Sequence, residues 1–394
     1  MINPQIKELI SNKDASVIRK MFEEGIQLKK KFGEENVYDF SLGNPDLDPP
    51  QQVVDTVKKI ASDTSHGRHG YMPNAGYPET RLAMAQKVGQ EQGIKLELSD
   101  IIMTAGAASA INCVLKTILS SGDNVVVPKP FFSEYRNYAR NYGGVLKEVD
   151  SKDDFSLDIE AIKNALDKNT AAVLINSPNN PTGKIYSKDE IKSLAKALKE
   201  HAQNCGRTPY FICDEPYRAI VYDNKVVPPV FPEYDSSIIV SSFAKNLSLP
   251  GERIGYIAVN PKCEDALSLV AGAIFSLRVL GYVNAPAFFQ KVIAESWNAQ
   301  VDFSSYLNRR NLLMKVLDKA GLEYFRPEGA FYLFVKVPQK FNDDDMAFAD
   351  HLKKFNILCA PGTGFGGKGW VRLAYCVSET TICNSEKAFV QAMK

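Results

Sequence analysis

Three features are scarce in this sequence of 394 residues, and each scarcity narrows what the chain can be. The seven cysteines form no CxxC pair, which argues against a zinc site and fits a reducing compartment where thiols stay free. No apolar run reaches the ~18 residues of a membrane span, and the opening MINPQIKELISNKD lacks the apolar core and cleavage site of a signal peptide. The 47 basic and 46 acidic residues nearly balance, so bulk charge gives no reason to expect a nucleic acid or a membrane as partner. We therefore expect a cytoplasmic protein whose ligand is a small molecule.

What is present is the composition of an ordinary globular protein, with 45% hydrophobic and 24% charged residues and enough length for two domains. Between residues 101 and 259, short β-rich runs alternate with amphipathic segments of helical length. This alternation predicts an α/β fold whose large domain has a mostly parallel seven-stranded sheet covered by helices. The predicted strands are 101–103, 125–127, 145–149, 172–175, 210–213, 238–240 and 254–259.

The two ends of the chain have a different pattern of predicted helices and strands. Residues 14–33 have the apolar spacing of a helix, and beyond residue 284 the pattern predicts helices at 301–319 and 344–354, strands at 330–335 and 371–374, and a final helix. We interpret the last part as a smaller α+β domain. The expected division is residues 1–45, an N-terminal segment packing with the small domain, residues 46–284, the large domain with the parallel sheet and the ligand site, and residues 285–394, the small domain.

Two motifs suggest ligands that the rest of the sequence does not support. His66 and His69 lie in a Gly/Pro/Asn loop without acidic or cysteine partners at ligand spacing, so we expect loop histidines and no metal. The loop PGTGFGGKG, residues 361–369, contains glycines like those of a dinucleotide fingerprint, but the strand and helix context is missing.

The stretch SSFAKNLSLPGERIGY, residues 241–256, is the strongest functional signal. It places Lys245 between two apolar runs, where an α/β fold carries its chemistry, and Arg253 eight residues later. The fork of donors on an arginine matches phosphate oxygens. A lysine close to a phosphate-binding residue suggests pyridoxal 5'-phosphate, an aldehyde cofactor held as an imine. From this stretch alone, two other interpretations remain open: Lys245 could be a solvated loop lysine, and Arg253 could be a structural ion-pair partner.

Further candidates follow other predicted strands. The free amides of Gly106, Ala107 and Ala108, at the start of a helix, can bind an anion, although small residues also serve close packing. Asn180 lies in a polar turn after a buried strand, where turn formation is the alternative. Asp214 ends a buried strand and requires a cation, such as a protonated pyridine nitrogen, and Tyr217 could reach the same ligand.

The chain resembles the fold-type I pyridoxal-phosphate-dependent aminotransferases, the class I/II family that includes aspartate aminotransferase, over nearly all of its length. Seven motifs stand in the family's order: GNP from Gly43, YMPNAGYPETR from Tyr71, TAGAASA from Thr104, NNPTG from Asn179, DEPY from Asp214, SSFAKNLSLPGERIGY from Ser241 and GWVRLAY from Gly369. Each motif is weak alone, and the resemblance rests on their order.

The resemblance implies a role for each candidate. Lys245 is similar to the lysine that forms the Schiff base, and Asp214 to the carboxylate that pairs with the pyridinium nitrogen. The remaining cofactor contacts would be Tyr217 and Asn180 to the phenolic oxygen, Phe132 stacked on the ring, Gly106, Ala107, Ala108, Ser242 and Arg253 around the phosphate, and Tyr71 from the neighbouring subunit. Arg372 would clamp the substrate α-carboxylate, with Gly43 and Asn180 beside it. Many relatives have Ser or Thr where Ala108 stands, so one hydroxyl contact to the phosphate is expected to be missing.

The implied activity is a transaminase that moves the α-amino group of an L-amino acid, aspartate or similar, to a 2-oxo acid such as 2-oxoglutarate by a ping-pong mechanism in a homodimer. A carbon–sulfur β-lyase on the same fold, or a non-catalytic protein that binds pyridoxal phosphate, remains an alternative. Arg278 is the one candidate for binding a second substrate carboxylate, and an interface or surface ion pair is the other interpretation of this residue.

Overall fold

The computed structural model describes residues 2–11 and 13–394, and Met1 and Asn12 lie outside the described residues. Within the described part, the large sheet consists of seven strands. They are β2 (Ile101–Thr104), β3 (Asn124–Pro128), β4 (Val145–Val149), β5 (Thr170–Asn176), β6 (Tyr210–Asp214), β7 (Ser237–Ser242) and β8 (Gly255–Val259), and the short β1 (Tyr38–Asp39) precedes them in the chain. All seven strands predicted for this sheet are present, which confirms the α/β class.

The strand order of the large sheet is β2-β8-β7-β6-β5-β3-β4. β8 pairs antiparallel with both of its neighbours, and the other pairs are parallel. The connection from Ser242 to Gly255 contains only one turn of helix, α9 (Phe243–Asn246), and is too short for a crossover back to the starting edge. β8 therefore returns in the opposite direction, and the carboxyl ends of β2, β5, β6 and β7 share one edge of the sheet.

Helices cover both faces of the sheet, and its strands other than the edge strand β4 are almost entirely buried. In addition to α9, the helices before residue 300 are α1 (Pro4–Ser11), α2 (Lys13–Phe32), α3 (Gln51–Ala61), α4 (Pro78–Gln92), α5 (Ala107–Ile118), α6 (Tyr135–Arg140), α7 (Ile159–Ala165), α8 (Lys188–Cys205), α10 (Ala266–Val279) and α11 (Ala287–Ser296). The helix predicted at 14–33 corresponds to α2, whereas α1 was not predicted. α8 begins with a capping box, in which the Ser187 side chain accepts a hydrogen bond from the Glu190 amide and the Glu190 side chain accepts one from the Ser187 amide.

A second, smaller sheet has the strand order β12-β13-β10-β9 and lies near the carboxyl terminus. Its strands are β9 (Tyr324–Phe325), β10 (Tyr332–Lys336), β12 (Ala360–Pro361) and β13 (Trp370–Ala374), accompanied by α12 (Ser304–Lys319), α13 (Asp345–Lys353) and α14 (Glu379–Met393). β1 pairs in parallel with β11 (Ile357–Leu358), so the chain near residue 38 lies beside this part of the structure. α11 packs against α3 and α4. The division of the chain at residues 45 and 284 stays a prediction.

None of the helices in the part of the chain that the structure describes is long and apolar enough to cross a membrane.

Candidate active site

A cavity of about 290 Å³ lies at the edge of the large sheet where the strands β5, β6 and β7 end. Residues from the small sheet, among them Tyr332 and Arg372, close its other side. All of the predicted site residues except Gly106, Tyr71 and the exposed candidate Arg278 line this cavity: Gly43, Ala107, Ala108, Phe132, Asn180, Asp214, Tyr217, Ser242, Lys245, Arg253 and Arg372. The structure therefore brings together residues that are more than three hundred positions apart in the chain.

Gly106 lies directly behind the cavity wall. Its φ of +89° is in the region that favours glycine, and it precedes the first turn of α5, where backbone amides lack helical partners. A Cβ atom added to Gly106 would lie 2.8 Å from Arg253 Nη2. The glycine thus lets the arginine and the amino end of α5 approach each other, which forms a cradle suited to an anion.

Tyr71 does not reach the cavity of its own chain. Its side chain is 94% exposed and lies in the loop before α4. The sequence resemblance assigned this tyrosine to the neighbouring subunit's site, and that assignment stays a prediction.

Asp214 is the last residue of β6 and has one carboxylate oxygen without a hydrogen-bond partner among the described residues. The residue is 5% exposed, and its Oδ2 accepts a hydrogen bond of 2.6 Å from the Tyr135 hydroxyl, whereas Oδ1 is buried and unpartnered. Burial raises the pKa of Asp214 to about 7, and the Tyr135 hydrogen bond opposes this rise. A buried carboxylate oxygen in this state favours a ligand that presents a cation or a donor.

Lys245 follows β7 on the single turn α9. Its Nζ donates to the carbonyl oxygen of Gly43 at 2.8 Å and lies 5.3 Å from the centroid of the Phe331 ring. Burial, opposed by Cys376 and assisted by the neighbouring cations Arg372 and Arg253, lowers the pKa of Lys245 to about 8. A larger fraction of this amine is therefore neutral near pH 7 than for an exposed lysine, and the neutral amine is the nucleophile.

Arg372 is held in one orientation from two sides. Nη1 donates to Asn180 Oδ1 at 3.0 Å, and Nη2 donates to the Ser41 carbonyl oxygen at 2.7 Å. The guanidinium carbon lies 4.5 Å from the centroid of the Tyr332 ring and 4.8 Å from that of Phe365. Its Nε is buried without a partner among the described residues. The arginine is thus fixed in advance and still has donors for a carboxylate.

Three further contacts complete the site. The hydroxyls of Tyr217 and Tyr332 lie 2.8 Å apart, and the Phe132 ring packs edge-on against Tyr135 with 5.6 Å between ring centroids. Arg253 Nη1 donates to the Pro250 carbonyl oxygen at 2.8 Å. Tyr135 and Tyr332 are the two contributors that no motif indicated, because each acts through a partner that is distant in the chain.

The arrangement fits pyridoxal phosphate on two observations of the chain itself. The unpaired Asp214 Oδ1 suits a protonated ring nitrogen, and the cradle of Gly106, the amino end of α5 and Arg253 suits a phosphate. The described residues contain no group of three or more His, Cys, Asp or Glu side chains that could hold a metal ion.

Comparisons with known proteins agree with this geometry. The family model "Aminotransferase class I and II" matches residues 35–385. The chain is 32% identical to the probable aspartate/prephenate aminotransferase of Aquifex aeolicus, over 91% of each chain, and 30% identical to the probable aspartate aminotransferase of Methanocaldococcus jannaschii, over 85% of this chain and 87% of that protein.

Solved structures show the same similarity. An amino transferase from Eubacterium rectale superposes with a TM-score of 0.95 at 38% identity, covering 100% of this chain and 98% of the other. The aspartate aminotransferase from Thermus thermophilus with maleate gives 0.85 at 29% identity and covers 96% of each chain.

The chain therefore belongs to the class I and II aminotransferases. The predicted family and the prediction of a pyridoxal-phosphate-dependent transaminase are confirmed, and the family implies pyridoxal phosphate as the cofactor.

Proposed function

We propose that this transaminase moves the α-amino group of an L-amino acid, with aspartate as the first candidate, to a 2-oxo acid such as 2-oxoglutarate in two successive half-reactions. The observation that carries the proposal is the cavity that contains Lys245, with its lowered pKa, together with the unpaired Asp214 oxygen and the fixed guanidinium of Arg372. Relatives named aspartate aminotransferase make aspartate the first donor to test.

In this proposal, pyridoxal phosphate binds between the sheet edge and Phe132. Asp214 Oδ1 pairs with the ring nitrogen, and Tyr217 and Asn180 donate to the phenolic oxygen. The phosphate group is bound by the amides at the start of α5, Ser242 and Arg253, and by Tyr71 of the partner subunit. The support for this placement is that these groups, apart from Tyr71, line one cavity or, for Gly106, directly precede its lining residue Ala107.

When bound, the cofactor supplies a protonated ring that accepts the electron pair left at the substrate Cα after proton removal. Arg372 binds the α-carboxylate through its fork of donors and orients the Cα–H bond. Lys245 Nζ, once replaced by the substrate amine, would take the proton from the substrate Cα and hold it for the return transfer that completes the half-reaction. Asp214 keeps the ring nitrogen protonated, because a nearby negative charge favours the cation.

Hydrolysis by one water molecule, which supplies the carbonyl oxygen, would then release the 2-oxo acid, and the amino group would stay behind for a second 2-oxo acid, which reverses the same steps. Lys245 acts as base in one direction and as acid in the other, so it needs a pKa close to the working pH. Its lowered pKa of about 8 supports that double role.

We also propose a homodimer with shared sites, since the exposed Tyr71 has no role within its own chain's cavity. The chain division into residues 1–45, 46–284 and 285–394 and a cytoplasmic location are part of the same proposal.

The test is an absorbance spectrum of the purified protein, followed by additions of single amino acids with and without 2-oxoglutarate. Yellow absorbance that bleaches with one amino acid and returns with 2-oxoglutarate is the expected result, and it names the donor. Bleaching that does not reverse, with pyruvate and ammonia released, would support the carbon–sulfur lyase instead. A protein that no added pyridoxal phosphate could turn yellow would contradict the proposal.

Lys245→Ala should abolish turnover and the yellow absorbance while the protein stays folded. Lys336→Ala, which replaces an exposed lysine on β10, is the matched control and should behave like the wild type.

A further inference from the structure

Tyr332, which no sequence motif indicated, contacts three residues of the proposed active site. It is the first residue of β10, 2% exposed, and it pairs with Ala374 of β13. Arg372 lies two residues before Ala374, on the same face of β13, so Tyr332 and Arg372 are diagonal neighbours across an antiparallel pair. The Tyr332 ring consequently lies under the guanidinium, 4.5 Å from its central carbon, and supports it as a cation–π partner.

The hydroxyl of Tyr332 has a different partner from its ring. It lies 2.8 Å from the Tyr217 hydroxyl, and neither hydroxyl has another hydrogen-bond partner in residues 2–11 and 13–394. A hydroxyl carries one proton and two acceptor positions. If Tyr332 donates to Tyr217, the Tyr217 proton remains available to a ligand in the cavity, and its direction is fixed by the bond that Tyr217 accepts.

The third neighbour of Tyr332 is Gly43. A Cβ atom at residue 43 would lie 2.1 Å from the Tyr332 hydroxyl oxygen, so only glycine allows this approach. The Gly43 carbonyl oxygen accepts the hydrogen bond from Lys245 Nζ. Tyr332 therefore packs against the backbone that holds the reactive amine.

We propose that Tyr332 is a positioning residue with two separable actions, which rests on the proposed function above. Its hydroxyl donates to Tyr217 and directs the Tyr217 proton towards the cofactor's phenolic oxygen, and its ring holds the Arg372 guanidinium in place for the substrate α-carboxylate. The two actions affect different measurements, because one concerns the cofactor and the other the substrate.

Tyr332→Phe removes the hydroxyl and keeps the ring. A donor to the phenolic oxygen stabilises negative charge there, so weaker donation by Tyr217 should move the midpoint of the pH titration of the holoenzyme's yellow absorbance to higher pH, by about 0.5 to 1 pH unit. The KM for the amino acid should stay within about twofold, since the ring under Arg372 remains.

Tyr332→Leu removes both groups and should additionally raise the KM for the amino acid about threefold to tenfold. If thermal unfolding shows that Tyr332→Leu does not fold, Tyr332→Met, whose longer side chain fills the space differently, takes its place. A KM equal to that of Tyr332→Phe in a folded variant would refute the action of the ring.

A double-mutant cycle tests whether the hydroxyl acts through Tyr217. Tyr217→Phe alone should shift the titration midpoint, and adding Tyr332→Phe should shift it no further, because the second hydroxyl has lost its partner. Additive shifts would refute the proposal. Tyr222→Phe is the matched control, since this buried tyrosine donates to the Ala330 carbonyl oxygen at 2.5 Å outside the cavity lining, and its midpoint should equal that of the wild type.

The two proposals fail in different ways. A wild-type protein that does not become yellow with pyridoxal phosphate would overturn the proposed function. A yellow, active wild type whose Tyr332→Phe variant titrates at the same pH would overturn the role of Tyr332 alone.

Discussion

Asp214→Asn should remove a pH-dependent destabilisation that the apoprotein carries at neutral pH. The carboxylate is buried at the end of β6, and its pKa lies near 7 in the folded protein compared with 3.8 for the ordinary group. This difference of about three pH units corresponds to about 4 kcal/mol of stability between the fully protonated and fully ionised limits. Asparagine has almost the same shape, stays neutral and can still accept the hydrogen bond from Tyr135.

The sign follows from proton linkage. The folded state binds the proton more tightly than the unfolded state, so this contribution to stability is complete below pH ~4 and is lost as the pH rises through ~7. Between pH 5 and pH 7.5, the free energy of unfolding of the variant minus that of the wild type should therefore increase by about 2.5 kcal/mol. Urea unfolding of both apoproteins across this range, followed by circular dichroism, measures that difference.

A difference that does not change with pH would refute the claim that Asp214 is a desolvated carboxylate. Asp154→Asn is the matched control, and its difference from the wild type should not change with pH across the same range. Hydrogen bonds from Ser156, opposed by burial, hold the pKa of Asp154 down at about 2, so its contribution is present above pH ~4 and is lost on acidification. Added pyridoxal phosphate should stabilise the wild type more than Asp214→Asn at pH 7.5, because the ring nitrogen supplies the missing cation.

Further changes test the other parts of the site. Arg372→Lys should raise the KM for the amino acid about tenfold to a hundredfold, because lysine cannot bind a carboxylate through a fork, and an unchanged KM would exclude the clamp. Mixing unfolded and refolded Tyr71→Ala and Lys245→Ala chains should restore about a quarter of the sites if subunits share them, whereas a mixture without activity would contradict sharing. In the apoprotein, acylation of Lys245 followed by mass spectrometry should reach half its maximal rate near pH 8, and a midpoint near pH 10.5 would show an ordinary lysine. Arg278→Met should weaken turnover of aspartate and spare that of an apolar amino acid only if this arginine binds a second carboxylate.

The sequence alone predicted the strands well, because each strand of the large sheet is a short apolar run with a polar turn after it. The same pattern located Asp214 and Lys245, since the carboxyl ends of neighbouring parallel strands meet at one edge. The hydrophobic pattern did not predict the direction of β8, because that direction depends on the length of the connection between Ser242 and Gly255. The helix α1 was missed although Ile6, Leu9 and Ile10 have helical spacing, because a helix of 8 residues offers too short a window for the period to stand out.

The supporting tyrosines could not be predicted for a different reason. Tyr135 and Tyr332 are buried aromatic residues in apolar stretches, and such residues usually serve the core. Their significance comes from one hydrogen bond each, to Asp214 and to Tyr217, across 79 and 115 positions of sequence. A contact of that range is set by the tertiary fold, and no local pattern encodes it.

The strongest functional argument comes from one physical cause that acts on two groups with opposite signs. Burial beside the cavity lowers the pKa of Lys245 to about 8 and raises that of Asp214 to about 7, because burial disfavours the charged form of each. A protein that used these residues only for stability would gain from pairing them with each other, yet Lys245 bonds to a backbone carbonyl and Asp214 keeps one oxygen unpaired. The site is therefore arranged for a ligand that reacts with a neutral amine at one end and offers a cation at the other. An aldehyde on a protonated pyridine ring meets both requirements, which is why the geometry and the family lead to the same cofactor.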